Sequence, residues 1–275
     1  MPKTGMPLIK LKQRVPPVLS VGHLTTAVTT MINDETRRKL REIQLEEMIQ
    51  VIDRQAKDTI YATLSFDERM KMIVDYVYQE KHNKRVASLI KRARFRIPNA
   101  AIQDVFFAER HLDKDLILEI ATGTFISNNQ NIIICGFTGS GKSYLACSIG
   151  KEACKQGIRT RYIRLPDLLM EYGEAKNQPN GQSRELKKYT NYPLLILDEW
   201  LITDLSDDEL HFLFELVERR YDNGATIFCT QYKIEEWHAR LGGGVLADSI
   251  MDRIIHGAHI VSSGSINMRD FVLNL

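Results

Sequence analysis

The sequence predicts a three-layer α/β domain on a parallel central sheet, preceded by a small all-helical N-terminal domain. Three observations predict it. Short apolar runs alternate with helical segments between residues 131 and 262, the order that builds a parallel sheet with right-handed crossovers. The first run, Asn131-Ile132-Ile133-Ile134-Cys135, passes through a glycine-rich turn straight into a helix start at Tyr144. Ahead of residue 98 the apolar residues instead keep a helical period. With 275 residues, 44% of them hydrophobic and 26% charged, the chain can bury one ordinary core and a smaller one. It ends soon after the last strand, so no C-terminal lid domain is expected.

Residues 1–33 read as a flexible basic extension: Lys3, Lys10, Lys12 and Arg14 stand among Pro7, Pro16 and Pro17, and no acidic residue precedes Asp34. Residues 34–98 form the helical domain. Leu40, Ile43, Val51 and Ile52 predict one amphipathic helix from Asp34 to about Asp58. Ser65-Phe66-Asp67-Glu68 is a capping-box sequence, and Met70, Ile73, Val74, Val77 and Tyr78 follow at helical spacing. From Lys81 to Arg96 seven lysines and arginines occur in sixteen residues with no acid, while Val86, Leu89, Ile90 and Ala93 keep an apolar side. Such a face suits a phosphate backbone, because each cation that meets a phosphate releases condensed counterions. Lys84, Arg85, Lys91, Arg92, Arg94 and Arg96 are therefore candidate contacts to double-stranded DNA, and Pro98 is expected to end this helix.

The α/β domain spans 99–275. Asp113 is placed to cap a short helix carrying Leu116, Ile117 and Ile120. Gly136, Phe137, Thr138, Gly139, Ser140, Gly141, Lys142 and Ser143 then fit the pattern G-x-x-x-x-G-K-[ST], with a strand before and a helix after. The glycines let backbone N–H groups turn inward and the helix N-terminus adds positive potential, so the loop with Tyr144 is a cradle for a nucleoside triphosphate. Lys142 is expected to reach the β and γ phosphates, and Ser143 to offer its hydroxyl to Mg²⁺.

Leu194-Leu195-Ile196-Leu197-Asp198-Glu199 is a strand ending in two carboxylates. Asp198 is expected to hold Mg²⁺ through water and Glu199 to orient and polarise the attacking water, which favours hydrolysis over a binding module with negligible turnover. The strand 225–229 ends in Thr230-Gln231, where Gln231, with Thr230 as alternate, can sense a γ-phosphate. Residues 177–183 read as a loop, followed by a basic helical piece whose Lys187 and Lys188 are secondary DNA candidates. Ser206-Asp207-Asp208-Glu209 is a second capping box. A helix through Ala247, Ile250, Met251 and Ile254 carries Asp252-Arg253, and a last strand at 258–261 precedes Asn267-Met268-Arg269.

Net charge is +2, so an anionic partner must be met by a local patch. No run has signal-peptide or membrane-span length, and a cytoplasmic protein is expected. Cys135, Cys147, Cys154 and Cys229 form no C-x-x-C pair and are expected as reduced, buried thiols.

The ordered set of residues 136–143, 194–199, 226–231, 246–255 and 267–269 resembles the IstB-like branch of the AAA+ ATPases, related to the DnaC and DnaI helicase loaders. The resemblance covers roughly 35–270. It includes Leu64-Ser65-Phe66-Asp67-Glu68-Arg69, Lys91-Arg92-Ala93-Arg94, Tyr162-Ile163-Arg164-Leu165-Pro166 and the stretch from Leu246 through Arg253 to Ile254. It implies a P-loop NTPase of AAA+ type that binds ATP with Mg²⁺, hydrolyses it, assembles on DNA as a head-to-tail homo-oligomer, and recruits and stimulates a DDE transposase. By matching positions Arg253 corresponds to an arginine finger acting in trans and Arg269 to a sensor-two arginine. The rival within the same fold is a replicative helicase loader. Such loaders often carry zinc-binding cysteines in the N-terminal domain, and no cysteine precedes Cys135 here.

Overall fold

The computed structural model describes residues 32–264 and 266–273, so nearly all of the expected basic extension lies outside the described residues. The chain divides between Glu80 and Lys81 into two compact units.

The first unit holds α1 (Asp34–Glu42), α2 (Glu46–Lys57) and the start of α3 (Phe66–Ala93). Where one helix is expected from 34 to 58 there are two, because Gln44 takes a left-handed φ of 59° and turns the chain. The two halves have different tasks. α1 buries nothing, whereas α2 places Val51 and Ile52 against Ile73 of α3 in a small core. Asn33 caps α1 through the Thr36 amide (2.8 Å), and Ser65 and Glu68 form the expected reciprocal cap of α3. No glycine or proline interrupts residues 66–93, so the two segments expected there are one continuous helix. It stops at Ala93, ahead of Pro98: Arg94 turns left-handed (φ 56°), and the turn carries Phe95 into the core of the second unit.

In the second unit α4 (Lys114–Ala121), capped by Asp113, and α5 (Thr124–Ser127) lead to β1 (Ile132–Cys135). There follow α6 (Lys142–Lys155), β2 (Thr160–Arg164), α7 (Leu165–Ala175), α8 (Gly181–Thr190), β3 (Leu194–Asp198), α9 (Asp207–Arg220) and β4 (Ala225–Thr230). The chain closes with α10 (Ile234–Arg240), α11 (Gly244–Ile255), β5 (His259–Ser262) and α12 (Met268–Leu273). The loop expected at 177–183 ends at Asn180, and α8 starts on Gly181, where a Cβ would lie 2.1 Å from the carbonyl oxygen of Ala175.

The five strands are parallel in the order β2-β3-β4-β1-β5. Alternation divides them between two cores, as a sheet covered on both faces requires. Ile132, Ile134, Ile196 and Ile227 meet Leu145 and Ile149 of α6 on one face. Ile133, Leu195, Leu197 and Phe228 meet Leu168, Leu213 and Ile250 on the other. Trp200 joins the second core edge-on to Phe228 at 4.8 Å between ring centroids, with Trp237 beside it. The four cysteines are free, and burial pushes the Cys147 thiol up to about 11. Among the described residues no helix is long and apolar enough to cross a membrane.

Candidate nucleotide site

Strand register decides what meets at the C-terminal edge of the sheet. Cys135 stands level with Thr230, Leu197 with Phe228 and Asp198 with Arg164, so the segments that follow β1, β3 and β4 leave the sheet side by side. That edge is where parallel α/β sheets bind ligands.

The glycine-rich loop after β1 is held from two sides. The Gly136 amide donates to the Thr230 carbonyl (3.1 Å), and the Met268 amide donates to that of Gly139 (2.8 Å). Gly139 and Gly141 both have φ of 90°, and a Cβ on Gly139 would lie 2.4 Å from Asn267 Oδ1, so only glycine fits there. Lys142 Nζ lies over the loop, donating to the carbonyls of Gly136 (2.6 Å) and Phe137 (2.8 Å), and burial lowers its pKa. Ser140 is buried, and its hydroxyl meets that of Ser263 at 2.6 Å.

Beside the loop Ser143 Oγ donates to Asp198 Oδ2 at 2.5 Å. Thr138 Oγ1 donates to Gln231 Oε1 at 3.0 Å, whereas Thr230 is buried and tied to the Trp200 carbonyl. Of these two side chains it is that of Gln231 that meets the loop, Thr230 touching it through its backbone carbonyl. Glu199 sits in left-handed backbone (φ 56°), a conformation that non-glycine residues keep where the surroundings enforce it. Its carboxylate accepts from Arg96 (2.9 Å) and Arg164 (3.4 Å).

Three residues of the site have no functional role assigned from the sequence. Tyr162, buried on β2, donates from its hydroxyl to the same Asp198 oxygen at 2.6 Å, and burial raises its pKa. Arg164 lies opposite Asp198 in the register and chelates Asp167 (2.8 and 2.6 Å), which raises its pKa. Arg110 is 2% exposed and donates to the carbonyls of Ser140 (2.8 Å) and Ser263 (3.1 and 3.3 Å), with its pKa lowered by burial. A cavity of about 940 Å³ runs from the loop past Arg110, Tyr144, Ile97, Val105 and Phe106 to Arg269, with apolar wall enough for a nucleoside.

The remaining candidates lie in different places. Arg269, exposed on α12, lines that cavity. Arg253 does not reach it: its carbonyl accepts from the Asn131 side chain, at the opposite end of β1 from the loop, and its guanidinium pairs with Glu218. Lys84 and Lys91, seven residues apart on α3, lie together away from buried Leu89, with Arg85 and Arg92 flanking the buried stripe. Arg94 follows the helix, and Arg96 turns to Glu199.

A parallel sheet with a glycine-rich loop between β1 and α6, and a carboxylate from β3 against the loop's hydroxyl, defines a P-loop nucleoside-triphosphate-binding domain. The model of the family "IstB-like ATP binding protein" matches residues 38–271. An insertion sequence ATP-binding protein of Sinorhizobium fredii is 30% identical over 241 residues, covering 87% of this chain and 97% of that protein. The ATP-binding protein of insertion sequence IS1162 from Pseudomonas fluorescens is 31% identical over 202 residues, 73% of this chain and 87% of its own length. Among solved structures the DnaC helicase loader matches with a TM-score of 0.51 at 20% identity, over 60% of this chain and 96% of that one, a likeness of fold. The chain belongs to the IstB-like ATP-binding protein family.

Proposed function

We propose that this protein is an ATP-hydrolysing AAA+ regulator of insertion-sequence transposition, one that assembles head to tail on double-stranded DNA and recruits and stimulates a DDE transposase. The observation that carries the ATPase reading is the meeting of Lys142, Ser143, Asp198, Glu199 and Gln231 at one sheet edge. The insertion-sequence reading is supported by the names of the relatives.

In this reading the loop amides and Lys142 bind the β and γ phosphates, Gln231 reads the γ-phosphate, and Glu199 orients and deprotonates the attacking water. The hydroxyl of Ser143 and the carboxylate of Asp198 are the oxygen donors a hard cation takes, and together they fit Mg²⁺. Bound there, Mg²⁺ supplies charge neutralisation for the phosphates. Tyr162 donates to the Asp198 oxygen that Ser143 also meets and so holds it in place. Tyr162→Phe is accordingly expected to raise the Mg²⁺ concentration for half-maximal turnover by about 10- to 100-fold, the usual cost of losing a partner behind a metal ligand. An unchanged magnesium titration of the ATPase would remove Tyr162 from this role.

DNA contact is assigned to the face of Lys84, Arg85, Lys91, Arg92, Arg94 and Arg96, and phosphate contacts of this kind position a protein without reading sequence. Replacing Lys84, Lys91 and Arg92 together by Ala is expected to lower the slope of log affinity against log salt by about 2 to 3. The wild-type protein, with ATP, is expected to retain a DDE transposase on DNA and not a replicative helicase. The reverse preference would establish the helicase-loader reading instead, and an unchanged slope would place the DNA surface elsewhere.

A further inference from the structure

Arg110 lines the nucleotide cavity, is almost wholly buried, and has no carboxylate partner among the described residues. Its surroundings are shaped around it in two matching places. The chain contains two Ser-Gly pairs, Ser140-Gly141 in the phosphate-binding loop and Ser263-Gly264 after β5, and Arg110 donates to the serine carbonyl of each. Both serines are buried, and both glycines are left-handed, with φ of 90° and 87°. A Cβ on Gly141 would lie 3.0 to 3.2 Å from three atoms of the Arg110 guanidinium, and one on Gly264 would lie 2.2 Å from the Arg110 carbonyl oxygen. Arg110 is wedged between two stretches of backbone that come this close because neither carries a side chain.

The peptide between Ser140 and Gly141 therefore carries a buried cation on its carbonyl. Its other end is open: Gly141 lines the nucleotide cavity, and its N–H donates to nothing among the described residues. Positive charge at the acceptor end of a peptide draws electron density from the donor end, and in a buried setting solvent does little to screen the effect. We propose that Arg110 is a positioning residue for nucleotide binding, which holds the loop in its ligand-ready curve and makes the Gly141 amide a stronger donor to phosphate. This rests on the ATP reading above and adds to it a source of loop polarity that lies outside the phosphate-binding signature. The ligand it favours is anionic. A guanidinium that faces carbonyl dipoles alone is a buried charge without a counter-charge, which lowers its pKa, and a phosphate in the adjoining cavity supplies what is missing. Because the same side chain holds the Ser263 carbonyl, a phosphate bound at Gly141 is also felt in the 263–264 peptide.

The test compares the full-length wild type with Arg110→Lys, which keeps a cation near the two carbonyls, and Arg110→Gln, which keeps a hydrogen-bond donor without the charge. In titrations with a fluorescent ATP analogue Arg110→Gln is expected to raise Kd about tenfold, the lower end of what a hydrogen bond to a charged group contributes. KM for ATP is expected to rise with it while kcat stays within about twofold, because the Gly141 amide meets phosphate alike in the ground state and the transition state. Arg110→Lys is expected to recover most of the affinity. Labelling with carbonyl-¹³C serine and ¹⁵N glycine selects the 140–141 and 263–264 peptides alone. The Gly141 nitrogen is expected downfield in wild type and Arg110→Lys and displaced upfield in Arg110→Gln. Equal loss of affinity in the two variants, a fall in kcat as large as the rise in KM, or a Gly141 signal that stays in place overturns the proposal. If Arg110→Gln does not fold, wild type alone decides: ATP is expected to shift both labelled signals, and a shift confined to the 140–141 peptide overturns the proposal. Wild type that binds no ATP overturns the ATP reading itself, whereas variants that bind ATP as tightly as wild type overturn only the role of Arg110.

Discussion

Lys142→Ala and Glu199→Gln are expected to abolish ATP hydrolysis by different routes. The Lys142 ammonium lies on the loop between the Gly136 and Phe137 carbonyls; in the proposed role it meets phosphate charge, and removing it is expected to take away binding in the ground state and the transition state alike. Equilibrium binding of ATP and its turnover should both disappear. Glu199 touches no residue of the loop; its partners are Arg96 and Arg164. The isosteric amide should leave ATP affinity close to wild type and lower the rate by about 10²- to 10⁴-fold, the range of a general base. Titration of a fluorescent ATP analogue beside a phosphate-release assay checks both. Equal loss of binding in the two variants would falsify the division of labour.

Mixing Arg253→Ala with Lys142→Ala is expected to restore activity that neither variant has alone. Arg253 lies at the N-terminal end of β1, and a four-residue strand separates it from its own loop, so a role in hydrolysis must be played on a neighbouring subunit. Arginine fingers are worth about 10³- to 10⁵-fold in rate. In equimolar mixed assemblies roughly a quarter of interfaces pair an intact loop with an intact finger, so about that fraction of the wild-type rate should return. The competing account is that Arg253 serves its own chain through Glu218 and Ser249, in which case its loss costs on the order of 1 kcal/mol and leaves hydrolysis nearly intact. Mixtures that co-assemble without recovering hydrolysis exclude action in trans.

The phosphate-binding loop, the strand-end carboxylates and the parallel sheet were legible in the sequence because their chemistry is contiguous. Each is a few residues long, and the rule joining strand end to ligand holds for every sheet of this type. Helix limits were less so. The break at Gln44 has no glycine or proline to mark it, and the stop at Ala93 answers to the burial of Phe95, a contact far away in sequence. The residues that surround Asp198 and Glu199 were illegible for a third reason. Tyr162 and Arg164 reach them through the pairing of β2 with β3, and Arg96 meets Glu199 across 103 positions. Arg96 was legible as a basic residue and not as the partner of a carboxylate. Arg110 carried no signal: a single arginine before a capped helix says nothing of the two carbonyls it will bridge.

The loop's dependence on the segment after β5 bears on how such chains are recognised. Ser263 donates its amide to Cys135 and meets Ser140 through its hydroxyl, Met268 binds Gly139, and Arg110 ties Ser140 to Ser263. A reading frame cut ahead of Ser263 would keep every residue of the phosphate-binding signature and of the acidic strand, yet lose the scaffold that shapes the loop. Pattern matching would count that fragment as an intact nucleotide binder; the geometry says it is a relic. Gene surveys that require Ser263 and Met268 together with the signature would separate working copies from decayed ones.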